Sequence, residues 1–200
     1  AALLELAEHN QRILCPVHQM GSQRGVQDTL KQLDTLGEIL QMRFVTCSAG
    51  GEGLSAETLN DIVADILPHP LSLIQTLKPG IDIEAIKWSG TSARDGDLSV
   101  MGTQDGVLTD ISISLTARPT RCEMTLYCSG GRAFLNFFHG YSVIETGKVS
   151  RAQKAVQPFK YSLREFLLAG ANALRRLAGR EMAYPGLNDF LDAYYGAVND

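Results

Sequence analysis

Within "DIVADILPHPLSLI", residues 61–74, Asp65 stands four residues before His69, and Pro68 and Pro70 bracket the histidine. Residues at i and i+4 share one face of a helix, so the carboxylate and the imidazole are spaced to converge. An imidazole, with a reference pKa of about 6.5, exchanges protons near neutral pH. A carboxylate beside it fixes its tautomer or steadies its charged form. That pairing suits general acid–base chemistry. The prolines should end or kink the helix and leave backbone carbonyls without amide partners, which is costly if packing is the only purpose. The plain alternative is a helix end with a solvated Asp65 and a histidine packed in a proline turn. A metal set of Asp61, Asp65 and His69 lacks the second histidine or cysteine of a usual zinc site, so no metal is expected.

Other residues invite the same question. His18 and Gln19 end the apolar run "ILCPVHQ". In open α/β sheets ligands gather at the carboxyl ends of strands, which makes these two candidates for contact with a cofactor or substrate. Trp88, the single tryptophan, and His139 end or interrupt strand-like runs and are pocket-wall candidates, with core packing as the ordinary reading. "RRLAGRE" places positive charge where a helix should end, which suits the helix dipole.

The elements that must position these groups follow from periodicity. Leu3, Leu4, Leu6 and Ala7 form a helical stripe, and "RILCPVH" reads as a short buried strand. Such a strand normally has neighbours, so residues 1–20 read as the tail of a larger α/β unit, and 21–200 as a second domain. Val26, Leu30 and Leu33 recur at helical spacing, with Gly37 as the stop. "ILQMRFVTCS" alternates as a strand, with Leu40, Met42, Phe44 and Thr46 on one face, and Ser55 caps the helix that leads to Asp65. From Ile81 to about Gly147 the period is two: "IDIEAIKW", "LSVMGT", "VLTDISISLTA", "CEMTLYC", "RAFLNFFH" and "YSVIET" alternate with turn signals. Short spacings predict an antiparallel meander, one face core and the other polar and small through Ser112, Ser114 and Thr116. Ser162 and Glu165 form a capping-box signature for a late helix with a Leu163, Phe166, Leu167, Leu174 and Leu177 stripe ending at Gly179; Pro185 opens a last helix. The fold class is α+β, a mainly antiparallel open sheet backed by helices, preceded by the last helix and strand of a Rossmann-like domain.

Bulk properties remove several functions. The 200 residues are 44% hydrophobic and 20% charged, with net charge −4, which disfavours a sequence-independent nucleic-acid binder. No run approaches the roughly 18 apolar residues needed to span a bilayer. Cys15, Cys47, Cys122 and Cys128 form no C-x-x-C pair and sit in strand-like runs, so buried reduced thiols and a cytoplasmic setting are expected.

With "CPVHQ", the D-x-x-x-H of "DILPH" and the late "YPGL…FLDAYYGA" in view, the chain resembles the glucose–fructose oxidoreductase and inositol dehydrogenase (Gfo/Idh/MocA) family, mainly by order of elements. The Gly-rich phosphate loop and the E-K-P segment with that family's catalytic lysine are absent, and "LNDIVA" replaces the glycines usual before the aspartate. The resemblance implies a C-terminal portion of an NAD- or NADP-dependent oxidoreductase, whose nucleotide is held mainly by an N-terminal domain. His69 would handle the proton while hydride moves between nicotinamide and a hydroxyl or carbonyl substrate, sugar-like compounds included. Asp65 would orient the site or bind substrate, and His18 and Gln19 would touch the cofactor. The implied partners are a small-molecule substrate and a second copy, in a dimer or tetramer through the open sheet. The 200 residues alone would be inactive. The competing expectation is a non-catalytic binding or oligomerisation module of the same fold.

Overall fold

Strand β1 (Ile39–Cys47) runs through the middle of a seven-strand mixed sheet, in a computed structural model that describes residues 2–12, 14–15, 17–147, 150–178 and 186–199. Five other strands and one short one complete it: β2 (Ser89–Thr91), β3 (Asp97–Gln104), β4 (Val107–Ser114), β5 (Arg121–Cys128), β6 (Gly131–Asn136) and β7 (Tyr141–Thr146). The order is β2-β3-β4-β1-β5-β6-β7. Two antiparallel meanders, β2 to β4 and β5 to β7, are joined by β1, which pairs parallel to β4 and antiparallel to β5. The single meander expected from spacing is thus divided. The "LTARPT" link crosses over β1 rather than closing a hairpin, because β1 brings the fully buried Met42 and Phe44 to the core.

The alternation along β1 starts one residue early. The register shifts between Ile39 and Gln41, so Ile39 is buried and Leu40 is exposed. A bulge of this kind turns one residue out of phase and leaves the rest of the strand correctly faced. The run "IDIEAIKW" forms no strand; Ile81 and Ile86 enter the core from a chain of turns, and pairing begins only at Ser89.

Helices cover the core face. α1 (Ala2–His9) buries nothing, and a 3-10 turn follows at Gln19–Ser22. The helix expected through Leu33 is two pieces, α2 (Arg24–Leu30) and α3 (Leu33–Leu36), closed by Gly37 at φ 77°. α2 lies against β7, and the amide of Gly25 donates to the Gly140 carbonyl at 2.9 Å. α4 (Ala56–Ile66) and α5 (Pro68–Leu77) follow β1 and supply Val63, Leu73, Ile74 and Leu77 to the same core. The strand expected over "RILCPVH" is not formed by its described residues: Leu14, Cys15 and Val17 are exposed, and Ile13 and Pro16 lie outside the description. Of the thiols expected inside, only Cys122 is buried, and burial pushes it up to about 12.

α6 (Arg151–Leu177) departs furthest from expectation. It starts at Ser150, whose hydroxyl accepts from the Gln153 amide while the Gln153 side chain accepts from the Ser150 amide, so Ser162 lies inside the helix. "SRAQ" and "SLRE" are equivalent boxes on paper, and the good helix formers after Ser150 select the earlier one. Its sheet-facing side is polar. Arg164, Asn172 and Arg176 donate to the carbonyls of Ile144, His139 and Phe138, and Tyr141 donates to Glu165 at 3.1 Å. The apolar stripe faces outward instead, with Phe159, Phe166 and Leu177 75%, 73% and 86% exposed. α7 (Leu187–Asn199) packs on the 3-10 turn; Gly179 and Pro185, expected to bound these helices, lie outside the described residues.

Two glycines separate close packing from open helix. A Cβ on Gly25 would lie 2.5 Å from the Tyr141 carbonyl carbon, a backbone atom with nowhere to go, whereas one on Gly170 meets nothing within 4 Å. Gly25→Ala should therefore destabilise the fold by about 1–3 kcal/mol, and Gly170→Ala should stabilise it by about 0.5–1 kcal/mol. Urea midpoints of the two variants, read beside the parent, check both signs.

Candidate functional site

The geometry at His69 begins with the cap at Ser55, whose side chain accepts from the Thr58 amide at 3.2 Å and sets the phase of α4. α4 ends at Ile66. Leu67 keeps helical dihedrals (φ −55°, ψ −37°) and serves both as the last cap of α4 and as the first of α5. Pro68 then sits at the first position of α5, where a missing amide costs least. The prolines at 68 and 70 offer no proton to the carbonyls of Ala64 and Ile66, four residues before them, and the helix is divided at this point. Pro70, Leu73, Ile74 and Leu77 are buried and anchor α5 to the core, with His69 half-buried beside them.

His69 meets His18. The two Nδ1 atoms are 3.4 Å apart, and the rings stand nearly perpendicular (84°) with centroids 5.3 Å apart. His18 immediately precedes the 3-10 turn and does not cap it, so its ring is available to its neighbour. The turn approaches α5 closely: a Cβ on Gly21 would be 3.3 Å from the Thr76 hydroxyl. On its other side Gly186, at φ 81°, lies against the Gln19 carbonyl, where any larger residue would clash. Gln19 is half-buried next to this pair. Burial first, and the nearby His18 second, hold His69 below the ordinary histidine range.

Asp65 does not join them. It is exposed on α4 and makes no hydrogen bond or ion pair with any described residue, and the acid–imidazole contact expected from the i, i+4 spacing is not formed. A shared helix face does not by itself make two side chains touch: the backbone stays helical through Leu67, but the His69 ring meets His18 and Asp65 stays in solvent. Asp61 is likewise exposed, and no group of three potential metal ligands occurs among the described residues. Trp88 is occupied structurally, with its indole N–H donating to the Ile83 carbonyl at 3.1 Å and its ring against the core. His139 is exposed and stacks on Tyr141 at 6.1 Å. Arg176, from the basic run, is spent on the Phe138 carbonyl.

Sequence reasoning missed a polar network between β6, β7 and α6. Arg132 pairs with Glu145 at 2.6 Å and lies over the Tyr161 ring at 5.0 Å, while Gln157 donates to Glu145 at 3.1 Å. Burial, then Glu165, push the Tyr161 phenol up to about 12. A hollow of about 550 Å³ opens beside this network, lined by Lys154 and Gly147 as well. Arg132 and Glu145 face each other across adjacent strands, and alternation alone could have paired them had the β6–β7 register been known.

A nicotinamide nucleotide, the group that the resemblance implies, finds no G-x-G-x-x-G phosphate loop in this sequence; the glycines between β1 and α4 (Gly50, Gly51 and Gly53) lack that spacing. What fits is the reactive end alone. Nε2 of both His18 and His69 is without a hydrogen-bond partner among the described residues, leaving one ring nitrogen on each open.

The lowered pKa of His69 has a sign that can be tested. Because the folded state binds its proton less readily than the unfolded chain, the unfolded state holds more protons between the two pKa values, and stability falls with acid there. The loss should begin as pH drops below about 6.5 and level off beneath the folded value. His69→Asn should flatten that part of a stability–pH curve measured from pH 8 to 5; an unchanged curve would contradict the burial of the ring.

No protein-family model and no curated protein matches the sequence. Solved structures do match. An inositol dehydrogenase homologue from Azotobacter vinelandii, complexed with NADH and myo-inositol, superposes with a TM-score of 0.60 at 15% identity, over 72% of this chain and 43% of that one. UDP-N-acetylglucosamine 3-dehydrogenase from Acidithiobacillus ferrooxidans gives 0.54 at 16%, over 93% of this chain and 60% of that one. An NAD-binding oxidoreductase from Klebsiella pneumoniae gives 0.60 at 12%, over 76% and 48%. The chain thus spans roughly half the length of the structures it matches, and at these identities the likeness is one of fold. On that ground the fold is identified: it is the α+β fold of the C-terminal domain of Gfo/Idh/MocA-type oxidoreductases.

Proposed function

We propose that this chain is the substrate-side part of an NAD- or NADP-dependent oxidoreductase that moves hydride between nicotinamide and a hydroxyl or carbonyl compound. The observation that carries the reading is the meeting of His18 and His69, 51 residues apart, each with its Nε2 free, in a fold shared with NAD-binding dehydrogenases. The nucleotide supplies the hydride acceptor or donor when bound, and the residues of this chain manage the proton. His69, held neutral near pH 7, accepts the substrate hydroxyl proton at Nε2 during oxidation and returns it during reduction. Asp65, exposed on α4, would hydrogen-bond substrate hydroxyls and has no part in orienting the imidazole. Gln19, beside the pair, contacts the nicotinamide end. A polyhydroxylated substrate suits this set of small polar donors and acceptors, and myo-inositol in the Azotobacter relative is of that class.

Residues 1–20 join this domain to a nucleotide-binding domain that packs on it in the longer protein. The outward apolar residues of α1 (Leu3, Leu4, Leu6) and α6 (Phe159, Phe166, Leu177) support this, since extended exposed apolar faces mark interaction surfaces. The 200 residues alone are then inactive. The open sheet face, with Met101 and Tyr127 exposed among Ser112, Ser114 and the Arg43–Asp110 pair, supports self-association into a dimer or tetramer. No described helix is long and apolar enough to cross a membrane, and Cys47, Cys122 and Cys128 form no disulfide, which suits a cytoplasmic enzyme. A pure assembly module would account for the separation of Asp65 from His69 and for the outward apolar faces, but it has no use for the His18–His69 contact.

In the longer protein, His69→Ala should lower turnover of the cognate polyol about 10²-fold or more, and Asp65→Asn should raise KM with a smaller effect on kcat. Steady-state NAD(P)H formation across a panel of cyclic polyols and sugars reads both. Turnover unchanged by His69→Ala would remove the histidine from the reaction.

A further inference from the structure

The His18–His69 contact has a consequence beyond the acid–base assignment of His69. Two Nδ1 atoms at 3.4 Å leave room for one proton between them, because two N–H groups would repel and two lone pairs would not attract. One ring must donate and the other accept, so the tautomers of the two histidines are coupled. We propose that His18 is the positioning residue for His69: it fixes the His69 tautomer through the shared Nδ1 proton and serves as the second station of a two-ring proton relay to solvent.

The relay balances atom by atom. In the resting state His69 carries its proton on Nδ1 and donates it to His18 Nδ1, leaving the His69 Nε2 lone pair open; His18 carries its proton on Nε2. When the substrate O–H bond breaks, an Nε2–H bond forms on His69. Its Nδ1 proton then transfers to His18 Nδ1, and His18 releases its Nε2 proton to water. His69 now holds its proton on Nε2. In the reductive direction the reverse transfers deliver that proton to the substrate oxygen; after oxidation, once product has left, His18 takes a proton from water at Nε2, passes its Nδ1 proton to His69 Nδ1, and His69 gives its Nε2 proton to water. No oxidant or reductant enters these steps.

Among the described residues, the surroundings leave this pairing without a competitor. α5 carries no charged residue, and the 3-10 turn between His18 and α2 carries none either. Asp65 on α4 is exposed and unpaired. α7, which packs on the turn, contributes Asp189, and that carboxylate lines a separate hollow with Arg24 and Lys31. His18 is the one titratable group that shifts His69, and it shifts it downward. Where a carboxylate partner would raise the histidine's affinity for protons, an imidazole partner lowers it, so the ring stays neutral and ready to accept.

The role of His18 as relay rests on the oxidoreductase reading, but its role in fixing the tautomer does not, and the experiment separates them. In the 200-residue chain labelled with 15N at histidine, two-bond 15N–1H correlation spectra report the tautomer and titration of His69. The expected result is one dominant His69 tautomer with the proton on Nδ1. His18→Ala should give mixed tautomers and an upward shift of the His69 midpoint, and His18→Asn, whose side-chain amide occupies the Nδ1 position, should restore a single tautomer. A His69 spectrum indifferent to His18→Ala would overturn the proposal, with Gly170→Ala as the folded control. In the longer protein the same His18→Ala change should lower kcat about tenfold near pH 7 and displace the acid limb of the kcat/KM profile upward, with KM little altered. Fixed tautomer without any kinetic effect would retain the positioning and defeat the relay.

Discussion

β1 is the constraint from which the site follows. It must be buried on its core face, since Met42 and Phe44 are fully enclosed, and it is bordered by β4 on one side and β5 on the other. The chain before it and the chain after it both return over that face. α2 arrives through Val26, and α5 through Leu73, Ile74 and Leu77, all in one continuous core with Met42 and Phe44. Two segments that cover the same strand are forced into contact, and the 3-10 turn before α2 therefore rests on α5. His18 and His69 meet because each lies at the end of one of those segments. Burial of several large apolar side chains, each worth about 1.5–3 kcal/mol, holds a contact that two neutral imidazoles could never hold by themselves.

The sequence disclosed those elements whose period was long and whose faces differed sharply. β4 alternates perfectly between buried Ile111 and Ile113 and half-buried Ser112 and Ser114, and it was legible at once. His69 and His18 were both visible as reactive residues, but their partnership was not, since it depends on which strand lies between two meanders. Local spacing suggests Asp65 as the partner, but the spacing fixes only the face, and the ring of His69 goes to His18, which the chain before β1 brings alongside. The strand expected over "RILCPVH" failed for a different reason: an apolar run pairs only when another strand is alongside, and here Leu14 and Val17 have none among the described residues.

α6 shows the limit of reading amphipathicity as direction. A helix with one apolar and one polar face normally turns the apolar face inward. Here the polar face is the one that docks, because the β6–β7 turn offers unpaired carbonyls at Phe138 and His139, and β7 offers another at Ile144. Buried carbonyls need donors, and Arg164, Asn172 and Arg176 recur at the spacing that supplies them. The helix is thus committed on its polar side before its apolar side has been used. Such an arrangement is stable in a domain that meets another surface, and wasteful in one that does not.

The choice of an imidazole over a carboxylate as the neighbour of His69 carries the chemical argument one step further. A carboxylate stabilises the imidazolium and so delays release of the proton once it is taken up. An imidazole offers a hydrogen bond of the same geometry with the opposite electrostatic preference: it disfavours a second positive charge and provides an exit at its own far nitrogen. In the proposed reaction, run in both directions near neutral pH, the ring that takes the proton must also surrender it. A half-buried histidine with a histidine behind it would meet both demands, whereas the solvated Asp65 leaves the affinity of His69 for its proton untouched.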